Sequence, residues 1–387
     1  MAISHSVRKP QGAHMLKSGW PYVLILIFLV IFPLLAGLLF GSSGAVQEGA
    51  GILEGLMQRA DTGYAKFYQG MLIQMFILGI FAMSYDLLLG YTGLLSFGHA
   101  MFFGTGSYTI AILIGRNFNW PFEQALLAVV LIALLQSVIF GLLSLRVRGV
   151  YLAMVTLAFA EMFFILAEAG DFRLYTGADD GLHGFAIPAY LSPTDHRTRF
   201  YYLALVFFVV TFLAARRLVN SPSGRVMLAI RENENRATMI GFNTMWFKLI
   251  AFVASGMFAA LAGALSAVYH VSVTPSVLGS ARTIDVLAMT IIGGVGTLIG
   301  PIIGAGVVHL MGYWLERWFG SNWTLIYGAI FMLIVIFMPY GIVGTIRARS
   351  FGWRMGWARW RRLLTGSERP TPGDTSPAGG IEKKPSE

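Results

Sequence analysis

Apolar runs of about bilayer-spanning length alternate with short polar segments along most of the chain. The runs occupy residues 22–40, 67–89, 124–145, 150–169, 200–215, 249–269, 284–314 and 323–342. Because a helix needs about 20 residues to span a hydrocarbon core of about 30 Å, the pattern predicts an all-α polytopic membrane protein. A glycine-rich stretch at residues 293–301, GGVGTLIGP, interrupts the longest run and predicts a half-helix followed by a second helix. With broken or half helices counted, we expect about ten membrane segments.

Charges that flank the apolar runs predict the orientation of the chain. Arg8, Lys9 and Lys17 precede the first run, and six arginines follow the last run between residues 347 and 362. Because cytoplasmic flanks are enriched in Lys and Arg, we expect both termini in the cytoplasm. Residues 1–20 then form a basic cytoplasmic leader, and residues 21–345 form the membrane domain. The first run is longer than the apolar region of a signal peptide, which favours a retained helix.

One long charged segment lies between apolar runs. It covers residues 221–242, SPSGRVMLAIRENENRATMIGF, and its composition is compatible with a helix. We predict a single cytoplasmic helix over residues 223–242 that is offered to a soluble partner. An ordinary solvated helix between two spans is the alternative.

Residues 90–108, GYTGLLSFGHAMFFGTGSY, are too rich in glycine and hydroxyl side chains for a lipid-facing helix. Unpaired polar groups are costly in hydrocarbon, so this stretch is predicted to be buried in protein or to line a water-filled path. Close helix packing through small residues is the alternative, and it also applies to the glycines of residues 293–306. The residues that we predict to line a translocation pathway are Gly93, Ser96, Gly98, His99, Thr105, Glu161, Gly294 and Gly296.

Carboxylates are rare within or beside the predicted spans. Because such groups are expensive to bury, each is a candidate for function. Glu161 is the most central, which favours pathway lining, with structural pairing as the alternative. Asp86 lies near the cytoplasmic end of its span, where it can cap or pair, and Glu168 and Asp285 lie near span ends that water can reach.

Composition agrees with the membrane interpretation and excludes several other classes. The chain is 56% hydrophobic and 12% charged, with a mean hydropathy of +0.68. Cysteine is absent, so disulfides and thiolate metal sites are excluded. The net charge of +9 comes from residues at span ends, which indicates topology rather than nucleic-acid binding. Neither a GxxxxGK[ST] phosphate loop nor an HExxH or GxSxG motif occurs, so we predict no catalytic residue, metal or cofactor in this chain.

The C-terminal piece has a pattern of its own. Trp353, Trp357, Trp360 and Leu364 fall on one helical stripe among the six arginines. This predicts an interfacial amphipathic helix on anionic lipid over residues 346–366, rather than a calmodulin-target-like segment with the same pattern. Residues 367–387 are rich in Pro, Gly, Ser and charges, which predicts a disordered tail.

Four motifs in order strongly resemble the permease subunits of ABC importers for branched-chain amino acids, and most closely the M-type subunit of the two-permease pair. They are DLLLGYTGLLSFGHAMFFGTGSYT at residues 86–109, VRGVYLAMVTLAFAEMF at 147–163, SGRVMLAIRENENRATMIGFNTMWFKLIAFVASGMFAALAGAL at 223–265 and IGGVGTLIGPIIGA at 292–305. The resemblance covers most of residues 67–344.

This resemblance implies a complex in the bacterial cytoplasmic (inner) membrane. An H-type permease would complete the pore, two ATPase subunits would hold ATP and Mg, and an extracytoplasmic binding protein would deliver the substrate. Residues 223–242 would be the coupling helix, and Glu234, Ala237 and Gly241 loosely resemble the EAA loop of ABC permeases, with a different spacing. The residues expected to dock on an ATPase are Arg225, Arg231, Glu232, Asn233, Glu234 and Gly241.

Three alternatives stay open from the sequence. Related importers that carry urea, short amides or small carboxylates share these motifs. A secondary transporter driven by an ion gradient would need a titratable group near the midplane, for which Glu161 is the one plausible residue. A membrane scaffold without transport would use the glycine segments for assembly alone.

Overall fold

The structure is a computed structural model that describes residues 20–40, 52–116, 118–338 and 340–346. The chain divides into two compact units, Met1–Gly344 and Thr345–Glu387. The first unit contains all the labelled helices described below. Residues 1–19 of the predicted leader and residues 347–387 lie outside the described residues. The leader, the interfacial helix and the disordered tail therefore stay predictions.

The described residues include fourteen α-helices up to Phe337, a further short helical segment at residues 341–346 and one small two-stranded sheet. The helices are α1 (Trp20–Phe40), α2 (Ile52–Ala60), α3 (Gly63–Asp86), α4 (Ala100–Ala111), α5 (Phe122–Ser144), α6 (Val150–Glu168), α7 (Arg173–Thr176), α8 (Arg197–Asn220), α9 (Pro222–Glu232), α10 (Glu234–Met239), α11 (Thr244–His270), α12 (Ser280–Gly293), α13 (Ile299–Phe319) and α14 (Trp323–Phe337). A π-helical turn, Leu87–Tyr91, extends α3. The antiparallel strands β1 (Leu182–His183) and β2 (Ser272–Val273) pair Leu182 with Val273.

Seven helical stretches among the described residues are long and apolar enough to cross a membrane. They are Val23–Phe40, Gly63–Tyr91, Phe122–Ser144, Val150–Glu168, Arg197–Asn220, Thr244–His270 and a last stretch that begins at Ile299 and contains α13 and α14. The predicted all-α polytopic membrane protein is thereby confirmed. A shorter apolar helix, Ala100–Gly115, and the 14-residue α12 are the broken segments. The total of ten segments and their orientation stay predictions.

The break between α12 and α13 lies where the glycine-rich stretch predicted it. Helix α12 ends at Gly293, and α13 begins at Ile299. Gly294 and Gly296 in the connecting turn have φ of +120° and +79°, in the region that residues with a Cβ rarely adopt. We refer to residues 294–298 below as the α12–α13 turn.

Helices α3 and α11 are the most buried of the spans, and the shorter α4 packs on α11. Small residues make this contact possible, because a Cβ on Gly106 of α4 would overlap the backbone of Ala260. A Cβ on Gly263 of α11 would likewise overlap the carbonyl oxygen of Phe103. The hydroxyl of Ser107 donates to the carbonyl oxygen of Gly263 at 2.9 Å. Close backbone approach of this kind is typical of helix pairs in membranes.

The predicted helix over residues 223–242 is wrong in one respect, because the segment forms two helices. Helix α9 ends at Glu232 and α10 starts at Glu234, with Asn233 between them in an extended conformation. The Asn233 side chain accepts the backbone N–H of Arg236 at 2.9 Å, so it caps α10. Asparagine side chains compete with helical hydrogen bonds in this way, which explains the break. We call α9 and α10 together the charged helix pair.

Candidate functional site

Arg231 connects the charged helix pair to the membrane helices. Its Nη1 donates a hydrogen bond to the carbonyl oxygen of Gly90 in the π-helical turn after α3. A Cβ on Gly93 would lie 3.2 Å from the Cγ of Arg231, and one on Gly296 would lie 2.7 Å from its Nη1. The side chain therefore lies between two glycine-containing turns. The structure thus brings together a predicted docking residue, Arg231, and two predicted pathway residues, Gly93 and Gly296.

Asp86 holds the α12–α13 turn against the end of α3. Its carboxyl group is fully buried, and Oδ1 accepts the backbone N–H of Gly296 at 2.6 Å. Oδ2 accepts the backbone N–H of Leu298 at 3.1 Å, immediately before α13 begins. The positive charge of Arg231 also acts on this carboxylate. The expectation that Asp86 caps or pairs is confirmed, although it was absent from the predicted site residues.

Substitution of Asp86 by Asn tests this connection. The amide has one oxygen where the carboxylate has two, so one of the two backbone N–H groups is expected to lose its acceptor. We expect the free energy of unfolding to fall by about 1 to 3 kcal/mol, the usual effect of one buried unpaired donor. Thermal unfolding of the purified chain in detergent measures this. An unchanged midpoint would show that these two hydrogen bonds do not hold the turn.

Glu234, on the charged helix pair, contacts the membrane helices through two ion pairs. Its Oε1 lies 2.5 Å from Nζ of Lys248 on α11 and 3.8 Å from Nη2 of Arg148 in the turn between α5 and α6. The hydroxyl of Thr244 also donates to it at 3.2 Å. Lys248 is buried and Glu234 is partly buried, so the pair is partly shielded from water. Sequence patterns alone did not indicate Lys248 or Arg148 as partners.

The pKa of Glu234 reflects these contacts. Burial raises it, but the hydrogen bond and charge of Lys248 and the charge of Arg148 outweigh burial, so it lies below the ordinary value of 4.5. A carboxyl whose pKa is lowered on folding stabilises the folded state above its unfolded pKa, and this contribution disappears as pH falls through the folded pKa.

Glu234→Gln should therefore reduce stability in a pH-dependent way. Near pH 7 we expect a loss of about 2 kcal/mol, the usual contribution of a hydrogen bond between charged groups. Below the folded pKa the wild-type carboxyl is protonated, so the difference between the two proteins should shrink. Unfolding midpoints of both proteins at pH 7 and below pH 4.5 measure this. A difference that is independent of pH would contradict the ion-pair account.

The other predicted docking residues lie on the outer surface of the charged helix pair. Arg225, Glu232, Asn233 and Gly241 are all exposed. Next to them, Met239 and Ile240 are 87% and 70% exposed, although both are apolar. The pair therefore presents a surface on which charged and apolar side chains mix. Docking on an ATPase through this surface stays a prediction.

Three of the predicted pathway residues are buried where α3, α4 and α6 meet. A Cβ on Gly98 would overlap the carbonyl oxygen of Thr156, and Ser96 is buried beside it. His99 Nε2 lies 2.9 Å from the Ser84 hydroxyl. The His99 ring also stacks on Phe81 at a centroid distance of 5.6 Å. These contacts agree with the packing interpretation of this stretch, and pathway lining by these residues stays a prediction.

The remaining predicted pathway residues are spread over the structure. Thr105 accepts a hydrogen bond from the Gln136 amide at 3.0 Å and lines a mostly apolar cavity of about 230 Å³. Glu161 is half-buried on α6. A Cβ on Gly294 would lie 3.1 Å from the carbonyl oxygen of Tyr340. The structure therefore joins Gly93 and Gly296 through Arg231 but does not join Glu161 to them.

Comparisons with known proteins point to one family. Residues 67–338, more than half of the chain, match the family model described as the permease component of branched-chain amino acid transport systems. The high-affinity branched-chain amino acid transport system permease protein LivM of Escherichia coli (strain K12) is 28% identical over 292 residues. That alignment covers 69% of this chain and 68% of LivM.

Two further relatives are permeases with other names. The probable branched-chain amino acid transport permease protein LivH of Methanocaldococcus jannaschii is 27% identical over 178 residues, which cover 42% of this chain and 52% of LivH. The autoinducer 2 import system permease protein LsrC of Yersinia pseudotuberculosis is 24% identical over 297 residues, which cover 71% of this chain and 78% of LsrC.

Proposed function

Because the chain belongs to the family of permease components of branched-chain amino acid transport systems, we propose that it is the M-type permease subunit of an ATP-driven importer for branched-chain or other hydrophobic amino acids. It is a multi-pass protein of the cytoplasmic membrane, because its family and its long apolar helices both indicate this location. The family indicated by the four sequence motifs is thereby confirmed. The cargo and the assembly are the content of the proposal.

The observation that carries the coupling part of the proposal is the position of Arg231. It lies on the charged helix pair and contacts both Gly90 and the α12–α13 turn, so a displacement of the pair acts directly on two interrupted membrane segments. In the proposed mechanism, ATP closes the partner ATPases, the charged helix pair moves with them, and the spans rock to expose the pathway on one face at a time. In the proposed assembly, ATP and Mg are held by the partner ATPases rather than by this chain.

The proposed complex contains four kinds of chain. Besides this permease, it holds an H-type permease, two ATPase subunits and an extracytoplasmic binding protein that delivers the substrate. Similarity to both LivM and LivH supports a pair of related permeases. The exposed apolar faces of α1, α5, α6 and α8 leave room for lipid and for this second permease.

An affinity pull-down of the tagged chain from native membranes in mild detergent, followed by mass spectrometry, tests the assembly. We expect a second permease and one or two ATPases to be recovered. Recovery of the chain alone, together with ion-driven transport after reconstitution, would instead support a secondary transporter with Glu161 as the first residue to test. Recovery of the chain alone without transport would favour a membrane scaffold.

The cargo needs a separate experiment, because similarity to LsrC shows that related permeases serve other import systems. Uptake of labelled L-leucine by the reconstituted complex should be competed by L-isoleucine and L-valine. Competition by urea, short amides or small carboxylates instead would assign the chain to a sister importer with the same architecture.

A further inference from the structure

A polar cavity lies at the end of α11 that is opposite to the charged helix pair. Its volume is about 230 Å³, and it is lined by the end of α11, residues 272–277, the start of α12 and one residue of α4. Helix α11 has 27 residues and spans about 40 Å, so the cavity and the charged helix pair lie near opposite membrane surfaces. Its polar lining residues are Ser107, Ser266, His270, Ser272, Thr274, Ser276 and Arg282.

Arg282 is the charged group of this cavity, and its own contacts leave hydrogen-bond donors available. The guanidinium lies over the Phe103 ring, 5.2 Å from its centroid. Its Nη1 is 3.8 Å from Oδ2 of Asp285, beyond the distance of about 2.7 to 2.9 Å that charge-assisted hydrogen bonds adopt. Its Nε is buried and has no hydrogen-bond partner among the described residues. The guanidinium therefore keeps at least one N–H donor that no described residue accepts.

The chemistry of the lining favours a carboxylate as the ligand. A guanidinium binds a carboxylate through two parallel hydrogen bonds, and serine and threonine hydroxyls can donate to the same oxygens. The side chain of His270, another lining residue, is held by Gln74, whose amide nitrogen lies 2.5 Å from His270 Nε2. A neutral urea or amide would gain little from a partly buried positive charge. The cavity is also small, which suits a molecule of amino-acid size better than a large ligand.

We propose that this cavity binds the carboxylate group of the transported molecule through Arg282 at the entrance of the pathway. The proposal rests on the proposed importer function and narrows its cargo to amino acids and other small carboxylates.

Helix α12 gives the cavity a direct connection to the coupling site. Arg282 lies in the first turn of this helix, and Gly293 at its other end leads into the turn that Asp86 holds. Fourteen residues of helix span about 21 Å. Ligand binding at Arg282 therefore acts on the same rigid element that contacts the charged helix pair at its far end.

Protection of Arg282 from chemical modification tests the binding site without the binding protein. The full chain in lipid nanodiscs is treated with phenylglyoxal, and modification of the Arg282 peptide is followed by mass spectrometry. L-Leucine is expected to slow modification, whereas L-leucinamide, which lacks only the carboxylate, is expected to have no effect. Protection by propionate but not by L-leucine would support the carboxylate site and reject the branched-chain cargo. Equal rates with and without carboxylates would overturn the site.

Uptake by the reconstituted importer tests the role of the site in transport. Arg282→Gln is expected to lower L-leucine uptake at subsaturating substrate about tenfold, the effect of one lost charge-assisted contact. Arg282→Lys keeps the charge and should recover part of the activity. Arg173→Gln is the matched control, because Arg173 is 71% exposed and pairs only with the exposed Asp180 among the described ion pairs.

The results separate failure of the site from failure of the proposed function. Uptake by each Arg282 variant is normalised to the amount of assembled complex, so that a loss of folded protein is not counted as a loss of transport. If the wild-type importer takes up L-leucine and Arg282→Gln does so equally well, the cavity proposal is overturned. If the wild type takes up no L-leucine, the proposed cargo fails, and the modification experiment alone decides whether the carboxylate site exists.

Discussion

Reversal of the two adjacent charges at the end of α9, as Arg231→Glu with Glu232→Arg, is expected to abolish coupled uptake while the chain stays inserted. Arg231 then no longer donates to the Gly90 carbonyl oxygen, and its replacement repels the Asp86 carboxylate nearby. Glu232 is exposed, so its reversal acts on a docked partner rather than on the fold. Loss of a hydrogen bond to a charged group costs about 1.5 to 3 kcal/mol, so we expect uptake to fall about tenfold or more.

Parallel measurement of ATP hydrolysis and substrate uptake by the reconstituted complex distinguishes the possible causes. Uncoupling leaves hydrolysis intact and removes uptake, whereas loss of docking removes the ATPase from the complex. The single variants Arg231→Gln and Glu232→Arg separate the contact with the membrane helices from the contact with the partner. Arg317→Glu is the control, since this exposed arginine lies in the last turn of α13, far from the charged helix pair. Normal uptake by the double variant would refute the assignment of the charged helix pair.

A second large effect is expected where α4 packs on α11. Gly106→Leu and Gly263→Leu each place a side chain where the facing backbone already lies, at Ala260 and at the Phe103 carbonyl. Backbone cannot move aside as a flexible side chain can, so the two helices must separate. Because α11 is among the most buried spans, we expect a loss of stability of at least about 3 kcal/mol and little folded protein in the membrane.

Size-exclusion chromatography and thermal unfolding of the detergent-extracted variants measure this effect. Gly328→Leu in α14 is the matched control, because a Cβ at that helical glycine meets no described atom within 4 Å. It should behave as the wild type does. If Gly106→Leu and Gly263→Leu extracted and unfolded like the control, the close contact between α4 and α11 would not be needed for folding.

The sequence alone was enough to predict the membrane class, most of the spans and the break in the longest apolar run. These features depend on local properties, namely the length of an apolar run and the preference of glycine for unusual backbone angles. Helix α12 accordingly ends at Gly293, where the glycine-rich stretch begins. The family could also be identified from the sequence, because each of its motifs is a continuous segment of the chain. The same local signals missed the cap at Asn233, since its neighbours all suit a helix.

Contacts between distant residues were decided only by the tertiary structure. Arg231 and Gly90 are 141 positions apart, and Asp86 and Gly296 are 210 apart, so no periodicity in the sequence could bring them together. From the sequence, Asp86 was expected to cap or pair without a named partner, and Arg282 was not among the predicted site residues. Packing of α3, α4, α11 and α12 gives both side chains their surroundings. The sequence therefore determines the helices, and their packing determines which polar groups meet.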